Sequence, residues 1–290
     1  MIQFDQLLSP PVLYIATILL GLTVGSFLNV VIHRLPIMME NDWRRQCREL
    51  FYPDEEQPES ESYNLAKPAS TCPHCNHAIR WWENVPVVSY LFLKGRCSNC
   101  KAKISLRYPI IEITTAVLSF IIVWELGATL QAAALLPLTW ALIALTMIDI
   151  DHQLLPDSIT LPFLWFGLFL GIPAVFLSAE QAIIGAIVGY LSLWSFYWLF
   201  KILTGKEGMG YGDFKLLALF GAWAGWTDVF VIILLSSVVG AVIGIVLISF
   251  KGHDKSKPIP FGPYLAIAGW ITLLWGDELI RTYQQFAGIA

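Results

Sequence analysis

Charged residues are scarce in this 290-residue chain: only 14% are Asp, Glu, Lys or Arg, whereas 56% are hydrophobic. Soluble domains usually carry about a quarter charged residues. The composition, with a mean hydropathy of +0.63, therefore indicates a membrane protein. No basic stripe interleaved with aromatic residues is present, which argues against nucleic-acid binding. The N-terminus lacks a basic flank and a small-residue cleavage site, so we interpret its first apolar run as a retained helix.

Two catalytic sequence motifs are also missing. The chain contains no H-E-x-x-H motif, the signature of many zinc proteases, which disfavours a metalloprotease. It contains no G-x-G-x-x-G after a predicted strand, so a Rossmann-type cofactor site has no support.

Apolar runs near the length that crosses a bilayer, about 20 residues, recur along the chain. They fall at 11–32, 107–126, 129–149, 159–177, 181–203, 229–249 and 261–280. A shorter run at 213–227 brings the predicted total to eight. We therefore predict an all-α polytopic membrane protein with about eight transmembrane helices and both termini on one side of the bilayer.

The basic residues orient this arrangement. Of the 18 Lys and Arg residues, 11 lie between Arg34 and Arg107. Six more flank the glycine-rich stretch 208–213 or precede the last apolar run: Lys201, Lys206, Lys215, Lys251, Lys255 and Lys257. Eight helices place all of these on one face, which the positive-inside rule makes cytoplasmic. Seven helices would split them, so we expect eight, with periplasmic termini.

The polar and apolar segments define the expected domains. Residues 1–32 form a first transmembrane helix, 33–108 a cytoplasmic loop, and 109–290 a transmembrane domain. Within the loop, the acidic stretch 53–64 is typical of a mobile linker. A compact module at 72–100 follows it.

Four cysteines organise that module. Cys72, Cys75, Cys97 and Cys100 form two C-x2-C pairs separated by 21 residues, a spacing that can wrap four thiolates around one zinc ion. The alternative is two disulfides, which a reducing cytoplasmic location disfavours. Four thiolates leave no open coordination position, so we predict a structural zinc in a small zinc-ribbon-like insertion. The fifth cysteine, Cys47, is interpreted as a free thiol.

Two acidic groups lie at membrane boundaries. The stretch IDIDHQLLPD contains Asp149 and Asp151, and GMGYGD ends in Asp213. The predicted topology places both stretches on the cytoplasmic side at similar depth. Two carboxylates placed close together share one proton and hydrolyse peptide bonds by general acid–base catalysis. Gly210 and Gly212, which precede Asp213, would allow unwound backbone and close approach of an extended substrate.

Each acid has a simpler interpretation. Asp157 follows Pro156 and is interpreted as a helix N-cap, and Asp213 could also cap a helix. Asp151 is either solvated or assists the pair, and His152 is interpreted as an interfacial residue. The residues alone therefore leave an acid pair and two capping aspartates equally open.

Three further polar or glycine-containing positions have structural interpretations. Arg34 is interpreted as a positive-inside anchor and Asn29 as a helix-packing residue. Phe261-Gly262-Pro263 is interpreted as an interfacial turn, with the active site as the alternative.

Taken together, the motifs resemble a known family. Gly210-Tyr211-Gly212-Asp213 matches the G-x-G-D signature of intramembrane aspartyl proteases. With GSFLNVVIHRLP at 25–36, the paired C-x2-C ribbon, IDIDHQLLPD and PIPFGPYLAIAGW at 258–270, the chain resembles bacterial type IV prepilin peptidases. The resemblance covers nearly the whole chain, with the motifs in the same order.

The resemblance implies an inner-membrane enzyme with two activities. Family members cleave the short basic leader of type IV prepilins and type II secretion pseudopilins after a glycine, on the cytoplasmic side. They then methylate the new N-terminal residue, usually Phe, with S-adenosylmethionine. The family pattern carries over to Asp149 and Asp213 as the catalytic pair, within an aspartyl peptidase domain at 109–290. The cofactor-binding residues stay unknown.

Two other function classes fit parts of the sequence. A transporter with a carboxylate proton relay would place acids near the middle of a transmembrane helix or facing both sides of the membrane. A non-enzymatic scaffold that docks secretion components through the zinc ribbon would leave the G-x-G-D stretch and Asp149 unexplained. Enzymatic cleavage of prepilins is the function that accounts for most of the motifs.

Overall fold

The computed structural model describes residues 9–53, 63–251 and 260–288. The helices of these residues, in order, are α1 Pro10–Phe51, α2 Val88–Phe92, α3 Arg107–Leu126, α4 Leu130–His152, α5 Asp157–Gly171, α6 Ala179–Thr204, α7 Tyr211–Ala224, α8 Trp226–Lys251 and α9 Gly262–Ala287. A 3-10 turn covers Trp81–Asn84. The described residues contain only isolated β-bridges and no sheet, so the predicted all-α fold is confirmed.

Among the described residues, five helices are long and apolar enough to cross a bilayer: α1, α3, α4, α6 and α8. Helix α5 is apolar but shorter, and α7, with 14 residues, is about 21 Å long. Helices α5, α7 and α9 lie near the remaining predicted runs, so the structure is consistent with about eight spans. The linker at 53–64 and the basic loop with Lys255 and Lys257 fall largely outside the described residues.

Packing divides the chain into two compact units, Met1–Thr129 and Leu130–Ala290. In unit 1, α1 packs along α3. A Cβ at Gly25 would lie 2.6 Å from the Cα of Glu112, so only glycine permits this crossing. The domain boundaries predicted from sequence mark where the chain enters or leaves the membrane, whereas the two units are defined by packing. The predicted boundaries therefore stay a prediction.

Helix α1 extends well beyond its apolar run. Residues 33–51, assigned to the loop by sequence, continue the helix past Pro36, with ion pairs between Arg44 and Glu40 and between Arg45 and Asp42. Each such pair at i,i+3 or i,i+4 spacing stabilises an exposed helix by about 0.2–0.5 kcal/mol.

The structure corrects the sequence interpretation of Arg34. Its side chain is buried, and its guanidinium donates to the carbonyl oxygens of Asn64 and Pro68 at 2.9 and 2.7 Å. A membrane-surface anchor would be exposed, so that interpretation is wrong. Arg34 instead holds the segment that leads into the cysteine module, because its planar fork of donors reaches several carbonyls at once.

Unit 2 is built around α7, which contacts α5, α6, α8 and α9. Nearly every residue from Asp213 to Trp223 is buried, as expected for a helix surrounded by other helices. The closest approach is between α6 and α7, where a Cβ at Gly185 would collide with the carbonyl oxygen of Gly221. This core holds the start of α7 against the neighbouring helix ends.

Candidate functional site

Asp149 lies one turn before the end of α4 and is only 5% exposed. Its carboxylate Oδ2 accepts a hydrogen bond from the backbone N–H of Gly262, at the start of α9, at 3.1 Å. A Cβ at Gly262 would lie 2.6 Å from that oxygen. Glycine is therefore required at 262 for the main chain to reach the acid. This corrects the interfacial-turn interpretation, because Gly262 is part of the acidic site.

Asp213 is the third residue of α7 and is 7% exposed. Its carboxylate interacts with the backbone N–H of Gly210, the N-cap residue in extended conformation. A side chain at this position that returns to the N-cap amide is one half of a capping box. Asp213 is thus held by the start of its own helix, and it is not the N-cap itself.

The two glycines before Asp213 have different roles in the structure. Gly210 is extended and precedes the helix, as the prediction of unwound backbone requires. Gly212 is already helical, so that prediction is wrong for it. A Cβ at Gly212 would lie 2.8 Å from the Cβ of Leu155, which explains the absence of a side chain at 212.

The structure brings the two predicted acids together. The charge of Asp149 is close enough to act on the carboxyl group of Asp213, although 64 positions separate them in sequence. Leu155 lies beside both, since it limits the space at Gly212 and at Gly262. The site thus consists of two buried carboxyls with few hydrogen-bond donors and an apolar neighbour, an arrangement suited to a pair that shares one proton.

The other acids near the site are exposed. Asp151 and His152 lie at the exposed end of α4. Asp157 is the first residue of α5, with Pro156 at the N-cap position, and both of its carboxylate oxygens accept from Lys215 Nζ at 2.7 Å. The interpretation of Asp157 as an N-cap is therefore wrong, because its side chain pairs with α7.

Sequence reasoning missed Leu155 and the contact of Gly262 with Asp149. For Gly262, the available signal is the Gly-Pro pair at the start of a helix. No local pattern identified Leu155, since a leucine before a proline is unremarkable in an apolar chain.

In unit 1 the four predicted zinc ligands converge. The sulfur atoms of Cys72, Cys75, Cys97 and Cys100 all lie within 4.8 Å of one another, and the Cys72–Cys100 separation is 3.8 Å. Four sulfurs around a tetrahedral zinc at about 2.3 Å would be about 3.8 Å apart. The residues therefore fit a zinc ion by distance as well as by spacing.

The two knuckles repeat one backbone geometry 25 positions apart. The N–H of Cys72 donates to His77 O, and that of Cys97 to Ala102 O, both at 2.9 Å. Asn76 and Lys101 each have a positive φ, at 55° and 61°. Lysine is a costly residue for this conformation, whereas asparagine tolerates it. A repeated turn of this kind directs paired sulfurs toward one point.

The thiols differ in their ease of ionisation. The backbone N–H of His77 lowers the pKa of Cys75 to about 6. At Cys100 the N–H of Ala102 lowers the pKa, but burial and the neighbouring thiols together raise it to about 11. Four crowded thiolates therefore need a bound cation to ionise together, which is the chemistry that zinc supplies.

Comparison with protein families gives two matches that divide the chain. A model described as the bacterial peptidase A24 N-terminal domain matches residues 19–126. A model described as the type IV leader peptidase family matches residues 136–245. The first range contains the cysteine module, and the second contains Asp149 and Asp213.

Whole-chain relatives agree with both matches. The prepilin leader peptidase/N-methyltransferase of Pseudomonas aeruginosa is 57% identical over 285 residues, or 98% of each chain. The chain belongs to the type IV leader peptidase family. Members with the same printed description from Aeromonas hydrophila and Dichelobacter nodosus are 57% and 48% identical, over 94% and 97% of this chain. No solved structure matches the chain.

Family membership confirms the resemblance seen in the sequence. The expectation of an intramembrane aspartic peptidase is confirmed at the level of the family, because the matched peptidase model spans both buried aspartates. The membrane location is supported by the apolar helices of the described residues. The roles of individual side chains are not part of these matches.

Proposed function

We propose that the protein is a bifunctional enzyme of the bacterial inner membrane. It cleaves the basic leader of type IV prepilins and type II secretion pseudopilins after a glycine, and then methylates the new amino terminus. The printed names of relatives that cover 94–98% of this chain support both activities. The distribution of Lys and Arg supports cytoplasmic placement of the active site and periplasmic termini.

The observation that carries the proposal is the buried pair of Asp149 and Asp213. In our mechanism the ionised carboxylate takes a proton from water as the water oxygen attacks the scissile carbonyl carbon. The protonated carboxyl gives its proton to the carbonyl oxygen. The tetrahedral intermediate then collapses, the C–N bond breaks, and a proton passes from the pair to the departing amide nitrogen.

The substrate approaches, in this proposal, along the backbone before α7. Residues 205–210 are non-helical and largely exposed between the C-cap Gly205 and the N-cap Gly210. An extended peptide exposes its amide bonds, whereas a helical peptide shields them in its own hydrogen bonds. Gly210 has room for a neighbouring chain, since even a Cβ there would be 3.8 Å from Asp213.

Zinc is assigned a structural role in the cysteine module. Cys72, Cys75, Cys97 and Cys100 would fill all four coordination positions, so no site for a reactive water remains. The module is too small for a stable apolar core, and metal binding would supply its folding energy.

The alternative functions fit the acidic site less well. A proton relay would place carboxyls along the middle of a membrane helix, whereas Asp149 and Asp213 lie near helix ends. A scaffold role would leave two buried carboxyls unused, at a considerable desolvation cost.

The test uses purified protein in detergent with a synthetic prepilin and labelled S-adenosylmethionine. Asp149→Asn and Asp213→Asn should each lower cleavage at least about 1,000-fold, because the pair acts as one unit. Methylation of a pre-cleaved substrate should be retained. Asp157→Asn, which changes an exposed carboxylate near the same helices, is the control. Near-normal cleavage by either Asp149→Asn or Asp213→Asn would show that the assigned pair is wrong.

A further inference from the structure

Unit 1 contains a cavity of about 610 Å³ between α1, α3 and the cysteine module. Ligand pockets for small molecules generally span about 300–1,000 Å³, so the space suits one cofactor with the end of a peptide. Its walls carry polar side chains from all three parts: Asn29, Arg34, His77, Glu83 and Glu112. Nothing in the peptidase mechanism uses this cavity.

Three of these side chains are more than nine-tenths buried: Asn29, Arg34 and Glu112, at 9%, 8% and 7% exposure. The amide nitrogen of Asn29 donates to the carbonyls of Gly25 and Tyr108. The guanidinium of Arg34 donates to the backbone carbonyls of Asn64 and Pro68. The hydrogen bonds of these two residues hold the backbone of the cavity wall in place. Glu112 is the buried side chain that is left to interact with a ligand.

Glu112 lies in the second turn of α3. Its Oε2 accepts from the backbone N–H of Val87 at 2.7 Å, and the Ser26 hydroxyl also interacts with the carboxylate. A carboxylate offers about four lone-pair positions, so two remain. No Lys or Arg of the described residues pairs with Glu112. A buried carboxylate without a cation is costly, and a cationic ligand would offset that cost.

Val87, the partner of Glu112, has a strained backbone. Its φ of 60° and ψ of −46° are unusual for a residue with a β-branched side chain. Strain of this kind is retained only where the surrounding structure holds the residue in place. The hydrogen bond from Val87 to Glu112 therefore fixes the carboxylate against the cavity wall.

Two other side chains of the cavity wall, Glu83 and His77, also suit a positively charged ligand. The backbone N–H of Arg80 lowers the pKa of Glu83, so this second carboxylate is ionised. His77 Nε2 is buried without a hydrogen-bond partner, although it lies 3.4 Å from Glu83 Oε2. S-adenosylmethionine carries a sulfonium and an ammonium against one carboxylate, so its net charge is positive. The cavity thus fits the methyl donor by volume. Glu83 and Glu112 place two carboxylates on its wall, which also carries the basic residues Arg34 and Lys103.

We propose that this cavity is the methyl-transfer site and that Glu112 binds the amino-terminal ammonium of the cleaved substrate and removes its proton. The inference rests on the proposed methyltransferase function. The freed amine lone pair forms the new N–C bond, the S–C bond of the donor breaks, and its electron pair stays on sulfur as the neutral thioether. S-adenosylmethionine supplies the methyl group. The proton held by Glu112 passes to solvent as the product leaves.

The first test compares Glu112→Gln with Glu125→Gln, a control at an exposed position of the same helix. Glutamine keeps an oxygen for the Val87 N–H and loses the charge. With a pre-cleaved peptide, Glu112→Gln should lower kcat/KM for methylation at least about 100-fold at pH 7, the range of a general base. The defect should shrink as pH rises past about 8, where a free α-amine loses its own proton. Glu125→Gln should behave as wild type.

Two further readouts separate this role from others. By calorimetry, Glu112→Gln should bind S-adenosylhomocysteine within about threefold of wild type, and prepilin cleavage should be unchanged. A large loss of S-adenosylhomocysteine binding would assign the carboxylate to the donor's own ammonium and overturn the proposal. A parallel loss of cleavage would indicate a structural role and also overturn it. Methylation of the pre-cleaved peptide by the wild-type protein tests the proposed function itself, independently of Glu112.

A wild-type experiment covers the case in which Glu112→Gln fails to fold. A cleaved-substrate peptide is compared with its desamino analogue, which lacks only the terminal amino group, as inhibitors of methylation. If Glu112 binds the ammonium, the analogue should inhibit at least about tenfold more weakly. Equal inhibition would overturn the proposal.

Discussion

The two units of this protein organise their candidate sites in opposite ways. In unit 1 the cysteines lie on short turns, and backbone hydrogen bonds within each knuckle direct the sulfurs. In unit 2 Asp149 and Asp213 lie on two separate helices and meet only because α4, α7 and α9 converge. One site depends on local turns and, as proposed, on a bound zinc ion, whereas the other depends on helix packing across distant parts of the chain.

This difference predicts how each site fails. A local site that needs zinc should be lost when the metal is removed, while the remainder of the fold survives. A site made by helix packing should be lost when a single methyl group prevents close contact, since packed interiors tolerate little added volume. The predictions that follow test this contrast.

The largest effect is expected at the crossing of α6 and α7. A side chain at Gly185 would collide with the backbone of Gly221, so Gly185→Val should separate the two helices. We expect loss of both folded protein and cleavage, measured by monodisperse yield in detergent and by prepilin processing. Ser195→Val, which adds similar bulk at an exposed position of α6, is the control. Normal yield with Gly185→Val would show that the crossing is not close.

The second effect is expected on metal removal. Chelation should unfold the module around Cys72 and Cys97, which also line the cavity assigned to methyl transfer. Methylation of a pre-cleaved peptide should fall at least about 100-fold, whereas cleavage should stay within about threefold, since unit 2 supplies both aspartates. Zinc readdition should restore methylation. Parallel loss of both activities would contradict the independence of the two sites.

The same contrast explains what the sequence could predict. The cysteine spacing alone led to four ligands that the structure places within 4.8 Å, because the relevant geometry spans only a few residues at each knuckle. The apolar runs similarly located the long helices. Local chemistry and hydrophobicity are visible in one sequence, so these features were accessible.

Features that depend on long-range packing were harder to predict. The local sequence favours a turn at Gly262 and a helix cap at Asp157, although their partners are Asp149 and Lys215. The position of Arg34 at the end of an apolar run favours a membrane anchor, although Arg34 binds carbonyls about 30 positions away. None of these partners is implied by local spacing. The proximity of the two acids was expected only from the shared membrane depth and from the family resemblance.

A third, smaller effect is expected at Gly262. Gly262→Ala would place a Cβ 2.6 Å from Asp149 Oδ2 and should displace the carboxylate without unfolding unit 2. We expect cleavage to fall about 10- to 100-fold, as small displacements of catalytic groups often cause. Gly210→Ala is the matched comparison, since its Cβ would be 3.8 Å from Asp213. Equal stability of the two variants in thermal unfolding, with unequal cleavage, would locate the effect at Asp149.

The smallest effect is expected from the ion pair of Asp157 and Lys215. Both side chains are partly exposed, and exposed pairs generally stabilise a protein by about 0–1 kcal/mol. Lys215→Met should therefore leave cleavage within about threefold of wild type and lower the unfolding temperature only slightly, with less difference in high salt. A loss of cleavage approaching that of Asp213→Asn would show that Lys215 acts on the acid pair. It would mean that charge, and not helix packing alone, sets the geometry of the site in unit 2.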